Sequence, residues 1–230
     1  MNQAKSFVVT CAALLLGYAF QSETASLRWH PTKGDELSYE LTMKGDMSGL
    51  PFESTGLVAM SVTDVRRDGG YSVKSVAKGM LVRMGPDEMR DDRENTVTAK
   101  HDADGRLVSL QGKNDVDSYR VASITKFVSP PKPIAVGDSW RVMREKDRPK
   151  GAPGCETRYV FERIVDSEGK RQAEVSFSMK ETSGDKPRTA TGKWTIDLAN
   201  GIPSAMEAKV TGMFAGEIPG TITLRRVASR

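Results

Sequence analysis

Histidine and cysteine, which often carry nucleophilic and metal chemistry, are scarce in this sequence. The histidines are His30 and His101, and Cys155 is the one cysteine outside an N-terminal apolar run that contains Cys11. A histidine metal site needs two or three closely spaced ligands, and a cysteine nucleophile needs a base, for which only His101 is available. We therefore expect both histidines at the surface and Cys155 buried as a small hydrophobic residue.

Carboxylates are dense in one segment, GPDEMRDDRE, which runs from Gly85 to Glu94. Its acids are Asp87, Glu88, Asp91, Asp92 and Glu94. Glycosidases act through carboxylate pairs that carry no local sequence signature, so a hydrolase with unmarked carboxylates stays open as an alternative. The segment itself predicts a solvated, charged loop.

Other signatures of chemistry are missing from the sequence. Asp102, Asp104 and Asn200 stand beside turn glycines, but the further oxygen ligands of a calcium loop do not follow them, and turn formation explains them. No Gly-x-Ser-x-Gly elbow, phosphate loop or dinucleotide fingerprint occurs. We expect no catalytic residue, no metal and no cofactor.

A cluster of apolar residues lies in an unusually long connection, from Gly79 to Asn95. The corresponding connection in the second half of the chain, Glu181 to Arg188, is shorter. Apolar residues in a long connection either pack against the protein or cover something. We therefore predict a ligand-binding lid that turns at Gly79 and Gly85, with a hairpin extension on the outer face of the sheet as the alternative. The residues of this lid are Met80, Leu81, Val82, Met84 and Met89.

The elements that must position these residues are strands. From Glu36 to Lys44, apolar and polar residues alternate, which is the period of a half-buried strand. Ten further segments show similar alternation between Gly, Asp and Asn turns. One helix is predicted from about residue 115 to 128, before the prolines Pro130, Pro131 and Pro133.

Two halves of the chain follow one plan. Gly34-Asp35 and Gly137-Asp138 are 103 residues apart, as are Phe52 and Cys155. We predict a single β-rich domain, 26–230, made of two repeats, about 34–111 and 137–214, which a helix and a proline-rich link (about 115–136) join. The predicted fold is mainly β: a strongly curved antiparallel sheet or open barrel of about eleven strands from two similar halves, with one bridging helix.

The N-terminus has the layout of a secretory signal peptide. Lys5 precedes the apolar run Phe7–Phe20, and small and polar residues follow it. We predict a signal peptide over residues 1–25 and a mature protein that is secreted or periplasmic. An uncleaved membrane anchor is the alternative.

The chain resembles a family of uncharacterised secreted bacterial proteins. The resemblance rests on the export signal, on Leu37 and Tyr39 of the first strand, and on the helix with its proline exit. It also rests on two motifs, Val136-Gly137-Asp138-Ser139-Trp140 and Gly192-Lys193-Trp194-Thr195-Ile196-Asp197. By fold analogy alone, the implied shape is similar to that of the lipoprotein carriers (LolA-like) of the bacterial envelope.

Function is open between two main hypotheses. The first is a non-catalytic envelope protein that binds an apolar or amphipathic, lipid-like ligand. The second is a structural or protein-interaction module with a filled core and an envelope protein as partner. The net charge of +4 is spread along the chain without a basic helix, so we expect no nucleic-acid partner.

Overall fold

Alternating apolar and polar residues build one large antiparallel sheet. The structure is a computed structural model that describes residues 23–47, 49–112, 116–147, 152–167, 169–183, 187–212 and 219–228. Residues 1–22, most of the predicted signal peptide, lie outside the described residues, as do 113–115 at the predicted start of the helix. No helix among the described residues is long and apolar enough to cross a membrane.

Fourteen strands and one helix make up the described chain. In chain order they are β1 (Thr24–Ala25), β2 (Glu36–Met47), β3 (Leu50–Val65), β4 (Tyr71–Met84), β5 (Asp87–Asp91), β6 (Asn95–His101), β7 (Leu107–Gly112), α1 (Val116–Ile124), β8 (Ile134–Ala135), β9 (Ser139–Arg144), β10 (Cys155–Ser167), β11 (Lys170–Glu181), β12 (Thr189–Asp197), β13 (Pro203–Thr211) and β14 (Gly220–Val227).

Twelve of these strands form the main sheet. Its order is β7-β6-β4-β3-β2-β14-β13-β12-β11-β10-β9, and β5 pairs with the far end of β4 beside β6. All of these pairings are antiparallel. Strands β7 and β9 stand at the two ends, so the sheet is open. The prediction of a mainly β protein with a large open antiparallel sheet and one helix is confirmed.

The two halves of the chain have the same strand order. Strands β2, β3, β4, β6 and β7 pair one after another, and so do β9, β10, β11, β12 and β13. Strand β14 then pairs with β2 and joins the halves at the middle of the sheet. Whether the halves arose by duplication of one unit stays a prediction.

The second half has a filled core on its inner face. Alternate residues of β11, β12 and β13 point into it, and Val175, Ile196 and Val210 are fully buried. Phe127 lies at the centre, with its ring centroid 5.6 Å from that of Tyr159 and 5.9 Å from that of Trp194. Residues after helix α1 thus cover the inner face of this half of the sheet.

Helix α1 is shorter than predicted, because it ends at Ile124 rather than near Val128. Beyond Ile124 the backbone finds tertiary partners instead of helical ones. The carbonyl of Val128 accepts a hydrogen bond from the Trp140 indole at 3.0 Å, and the amide of Ser129 donates to the carbonyl of Asp104 at 3.1 Å. These tertiary hydrogen bonds replace those of a further helical turn. The periodicity of the sequence does not reveal this replacement.

Three strands were not predicted from the sequence. Strand β5 forms where we expected a charged loop, and β4 continues through the apolar cluster to Met84. The two remaining strands, β1 and β8, have two residues each and pair with one another. The long connection between Gly79 and Asn95 is therefore largely a β4–β5 hairpin.

Candidate functional site

A cavity of about 520 Å³ lies between the inner face of the first half and helix α1. Its floor consists of apolar residues of β2, β3, β4, β6 and β7, and its cover consists of α1, the residues after it and the segment around Trp29. The apolar lining includes Leu27, Trp29, Leu37, Leu41, Val58, Met60, Val73, Val97, Ala99, Leu107, Leu110, Val121, Phe127, Trp194 and Leu224.

Small side chains on the floor leave this space unfilled. Ser75 and Ala99 point into it from β4 and β6, where a larger residue would reach the cover. Leu37 and Met60 are only half-buried, whereas the inner-face residues Phe161 and Val175 of the second half are fully buried. Protein interiors are normally packed with few voids larger than a water molecule, so a cavity of this size is a distinct feature of the first half.

The strand register sets the direction of the cavity. Tyr71 pairs with His101 at one end of β4, and Val58 pairs with Ala77 six residues further along. Six residues of strand span about 20 Å, at ~3.3 Å per residue. The lining therefore extends along the strands as well as across them, and Leu41 lies beyond Val58 toward the centre of the sheet.

Polar and aromatic groups gather at the Tyr71 end. The rings of Tyr71 and His101 stack with centroids 5.0 Å apart, and Trp29 packs edge-on against Tyr71 at 5.5 Å. The ammonium of Lys126 lies 5.2 Å from the centroid of Tyr71 and 5.5 Å from that of Trp29. We call this group, Trp29, Tyr71, His101 and Lys126, the polar end.

His101 was predicted at the surface, and this was wrong. Its side chain lines the cavity and the residue is only 3% exposed. The alternation of Val97, Ala99 and His101 on β6 places all three on the inner face, and this signal in the sequence was overlooked. His30, in contrast, is exposed as expected.

Burial lowers the pKa of His101 well below its usual range, and the positive charge of Lys126 acts in the same direction. Contacts with the backbone of Gly105 and Arg106 oppose this shift. The imidazole is therefore neutral at physiological pH. Its Nδ1 is buried and makes no hydrogen bond to the part of the chain that the structure describes.

The carboxylates that line the cavity are paired. Asp104 accepts a hydrogen bond from the guanidinium of Arg28. Asp117 lies 3.3 Å from a guanidinium nitrogen of Arg120 and 3.2 Å from one of Arg188. Both acids are thus neutralised by arginines rather than turned toward a ligand.

At the far end of the cavity, the polar side chain of Tyr39 already has a partner. The hydroxyl of Tyr39 donates a hydrogen bond to the carbonyl of Pro203 at 2.9 Å. Burial raises the pKa of Tyr39 to about 12, so the phenol stays protonated. With Leu41 and Leu224 beside it, this end is apolar.

The predicted lid residues lie elsewhere. Met80, Leu81, Val82 and Met84 belong to β4 and Met89 to β5, and none of them lines the cavity. Their role as a lid over a ligand stays a prediction.

The acidic segment and the buried thiol do not assemble a reactive group. Asp91 lies 2.8 Å from a guanidinium nitrogen of Arg93, whose hydrogen bond lowers the pKa of that carboxyl to about 2. Cys155 is buried in the filled core as expected, and burial raises the pKa of its thiol, which disfavours the nucleophilic thiolate. Within the described ranges, His, Cys, Asp and Glu form no group that could hold a metal ion.

Comparison with models of known protein families and with curated proteins finds no match for the chain.

Proposed function

We propose that this protein binds an apolar or amphipathic, lipid-like ligand in the first-half cavity and performs no chemistry on it. The observation that carries the proposal is the cavity of about 520 Å³ with its largely apolar lining. Small-molecule sites typically have ~300–1,000 Å³, apolar walls and a few placed polar groups. Transfer of each ligand methylene group from water into such walls contributes about 0.8 kcal/mol.

The N-terminal sequence supports the proposed setting. Lys5, the apolar run from Phe7 to Phe20 and the small residues after it are typical of a signal peptide. We propose that the protein acts in the bacterial envelope or outside the cell, where a carrier for poorly soluble molecules has a use.

A second function has one observation in its favour. The inner face of the second half is filled, with Phe161, Val175 and Ile196 fully buried, as in a structural or protein-interaction module. In that role an envelope protein would be the partner, and the first-half cavity would have no ligand.

A binding experiment separates the two functions. N-Phenyl-1-naphthylamine, an uncharged apolar dye, should fluoresce on binding to the wild-type protein. The variant Ala99→Phe places a ring in the cavity, so we expect its affinity for the dye to fall at least about tenfold, which corresponds to ~1.4 kcal/mol. Its melting temperature should change little, because the ring enters open space.

Thr98→Phe is the matched control, because Thr98 precedes Ala99 on β6 and faces the opposite side of the sheet. It should bind the dye as the wild type does. A wild-type protein that does not bind the dye, or an Ala99→Phe variant that binds it unchanged, would overturn the proposal. Mass spectrometry of an organic extract of the natively purified protein would identify a resident ligand.

A further inference from the structure

We propose that the ligand is a single-chain amphiphile with an anionic carboxylate head, of the fatty-acid type, and that Lys126 at the polar end binds this head. The inference rests on the proposed function and adds the charge and orientation of the ligand. Its tail would lie along the strands toward Leu41, and its head would lie beside Tyr71 and His101.

The charge balance of the cavity favours an anion. The acids among the lining residues, Asp104 and Asp117, are each paired with arginine. Lys126 also lines the cavity, and no carboxylate among the described residues lies within ion-pair distance of it. A neutral ligand would leave this charge uncompensated, and a cationic ligand would be repelled by it.

The hydrogen-bonding capacity of Lys126 is also unused within the described chain. Its ammonium has three donors, and its contacts to protein are with the faces of Trp29 and Tyr71. Aromatic faces attract the charge but take up little of this donor capacity. The rings hold the ammonium at the polar end of the cavity, where its donors can reach a carboxylate.

His101 provides an independent sign of a polar ligand group at the same end. It is 3% exposed, lines the cavity and has a buried Nδ1 without a hydrogen-bond partner in the described chain. A buried polar atom is rarely left unsatisfied in a native protein. The unsatisfied Nδ1 therefore indicates a polar group of the ligand at this end of the cavity.

Two hydroxyls of the lining have partners within the protein. The hydroxyl of Thr125 donates to the carbonyl of Val121 at 2.8 Å, and that of Ser129 donates to the carbonyl of Asp104 at 3.0 Å. Binding of the charged head thus falls on Lys126, while the remaining length of the cavity is largely apolar and suits one alkyl chain.

The test compares ligands of equal chain length that differ only in the head group. Dodecanoate, dodecanol and dodecyltrimethylammonium would displace N-phenyl-1-naphthylamine from the wild-type protein at low salt and mildly alkaline pH. We expect dodecanoate to bind about tenfold more tightly than dodecanol, since hydrogen bonds to charged groups are stronger than neutral ones. The cationic amphiphile should bind most weakly.

Variants at Lys126 assign the preference to this side chain. Lys126→Met keeps the length of the stem, so it should still bind the dye and dodecanol but lose the preference for dodecanoate. Lys126→Arg should retain it. Lys100→Met is the matched control, because Lys100 is an exposed lysine on β6 next to His101, and it should behave as the wild type.

The outcomes separate this inference from the function on which it rests. If the wild type binds the dye but shows no preference for dodecanoate, or if Lys126→Met keeps that preference, the anionic head is wrong and the apolar site stands. If dodecyl phosphate binds about tenfold more tightly than dodecanoate, the carboxylate assignment is overturned. If neither the dye nor dodecanoate binds, as checked by calorimetry, the proposed function fails as well.

Discussion

Asp35 and Asp138 close corresponding turns in the two halves of the chain. A carboxylate oxygen of Asp35 accepts a hydrogen bond from the backbone amide of Thr32 at 2.8 Å. Asp138 accepts one from the amide of Ala135 at 2.9 Å. In both turns the donor lies three residues before the acid, and a new strand of the sheet starts directly after the turn, at β2 or β9.

The glycine before each acid has the same conformation. Gly34 has a φ of 95° and Gly137 a φ of 92°, values that residues with a side chain rarely adopt. The amide of Gly34 donates to the carbonyl of Val62 on β3 at 2.9 Å, and the amide of Gly137 donates to that of Phe161 on β10 at 2.7 Å. This likeness supports the proposed duplication at the level of single hydrogen bonds.

Asp35→Ala and Asp138→Ala should therefore have similar effects. Each removes a carboxylate that holds a solvent-exposed turn, and we expect each to lower the free energy of unfolding by about 1 kcal/mol. Urea denaturation of the two variants measures the loss. A loss in only one of them would show that the two turns are not equivalent.

The ion pair between Arg120 and Glu181 ties helix α1 to the second half of the sheet. The two side chains make hydrogen bonds of 2.7 and 3.2 Å, and the Glu181 side chain is 2% exposed. Glu181→Ala removes this partner from Arg120, which keeps Asp117 at 3.3 Å, and it also removes the acceptor of the Arg188 amide, so the free energy of unfolding should fall by about 1–3 kcal/mol.

A double-mutant cycle checks that the loss comes from the pair. Arg120→Met combined with Glu181→Ala should cost less than the sum of the single changes, because neither charge is then left alone. Additive losses would mean that the two side chains act independently, and the ion pair would then not be what fastens the helix.

Titration of His101 should make stability depend on pH. Because its pKa is lowered in the folded protein, the unfolded chain binds a proton first as the pH falls below about 6.5. The free energy of unfolding should decrease by up to about 1.4 kcal/mol per pH unit between roughly pH 6.5 and 5. Among the described residues, the charged group that acts on the imidazole is Lys126, which disfavours its charged form.

Urea denaturation across this pH range measures the effect. His101→Gln should flatten the dependence between pH 5 and 6.5, while His30→Gln, a change at the exposed histidine, should leave it as in the wild type. An unchanged slope in His101→Gln would assign the pH dependence to other groups.

Processing of the N-terminus should leave Glu23 and the residues after it in place, which moves the expected cleavage to before Glu23 from the boundary after residue 25 that the sequence predicts. Glu23 pairs with Arg171 at 2.9 Å, β1 pairs with β8, and Leu27 is 1% exposed. A chain that began after Ala25 would lose strand β1 and the Glu23–Arg171 pair. Mass spectrometry of the exported protein should show a first residue at or before Glu23. A mature chain beginning at Leu27 would conflict with this packing, and an intact Met1 on a soluble cytoplasmic protein would refute export.

The β4–β5 hairpin offers a test of the lid hypothesis. Leu81 pairs with Thr55 on one side and with Arg90 on the other, so Leu81→Asp should lower the melting temperature. Because Leu81 does not line the cavity, we expect folded Leu81→Asp protein to bind the dye normally. Lost binding at an unchanged melting temperature would instead establish the lid, and Met84→Asp repeats the comparison at the hairpin end.

The sequence by itself determined eleven of the twelve strands of the main sheet, all except β5, because strand formation depends on neighbouring residues. Alternation over a few positions marked β2 and β11, and pairs such as Gly137-Asp138 marked the turns between strands. Short turns then make consecutive strands pair, so the antiparallel order followed as well.

The tertiary structure decided what lies on the inner face. Helix α1 ends at Ile124 because Val128 and Ser129 find partners distant in sequence. The residues after the helix then cover the second half with Phe127 and place Lys126 over Tyr71. No local pattern encodes these contacts, since they join elements many residues apart.

The cavity is the clearest case. Its volume is what remains when side chains from eight strands, a helix and the N-terminal segment come together, and Ser75 or Ala99 matters only because of what faces it. Alternation can place His101 on the inner face, but it cannot show whether packed side chains or a cavity lie against that face. Packing depends on the sum of side-chain volumes across the fold, and that sum exists only once the chain has folded.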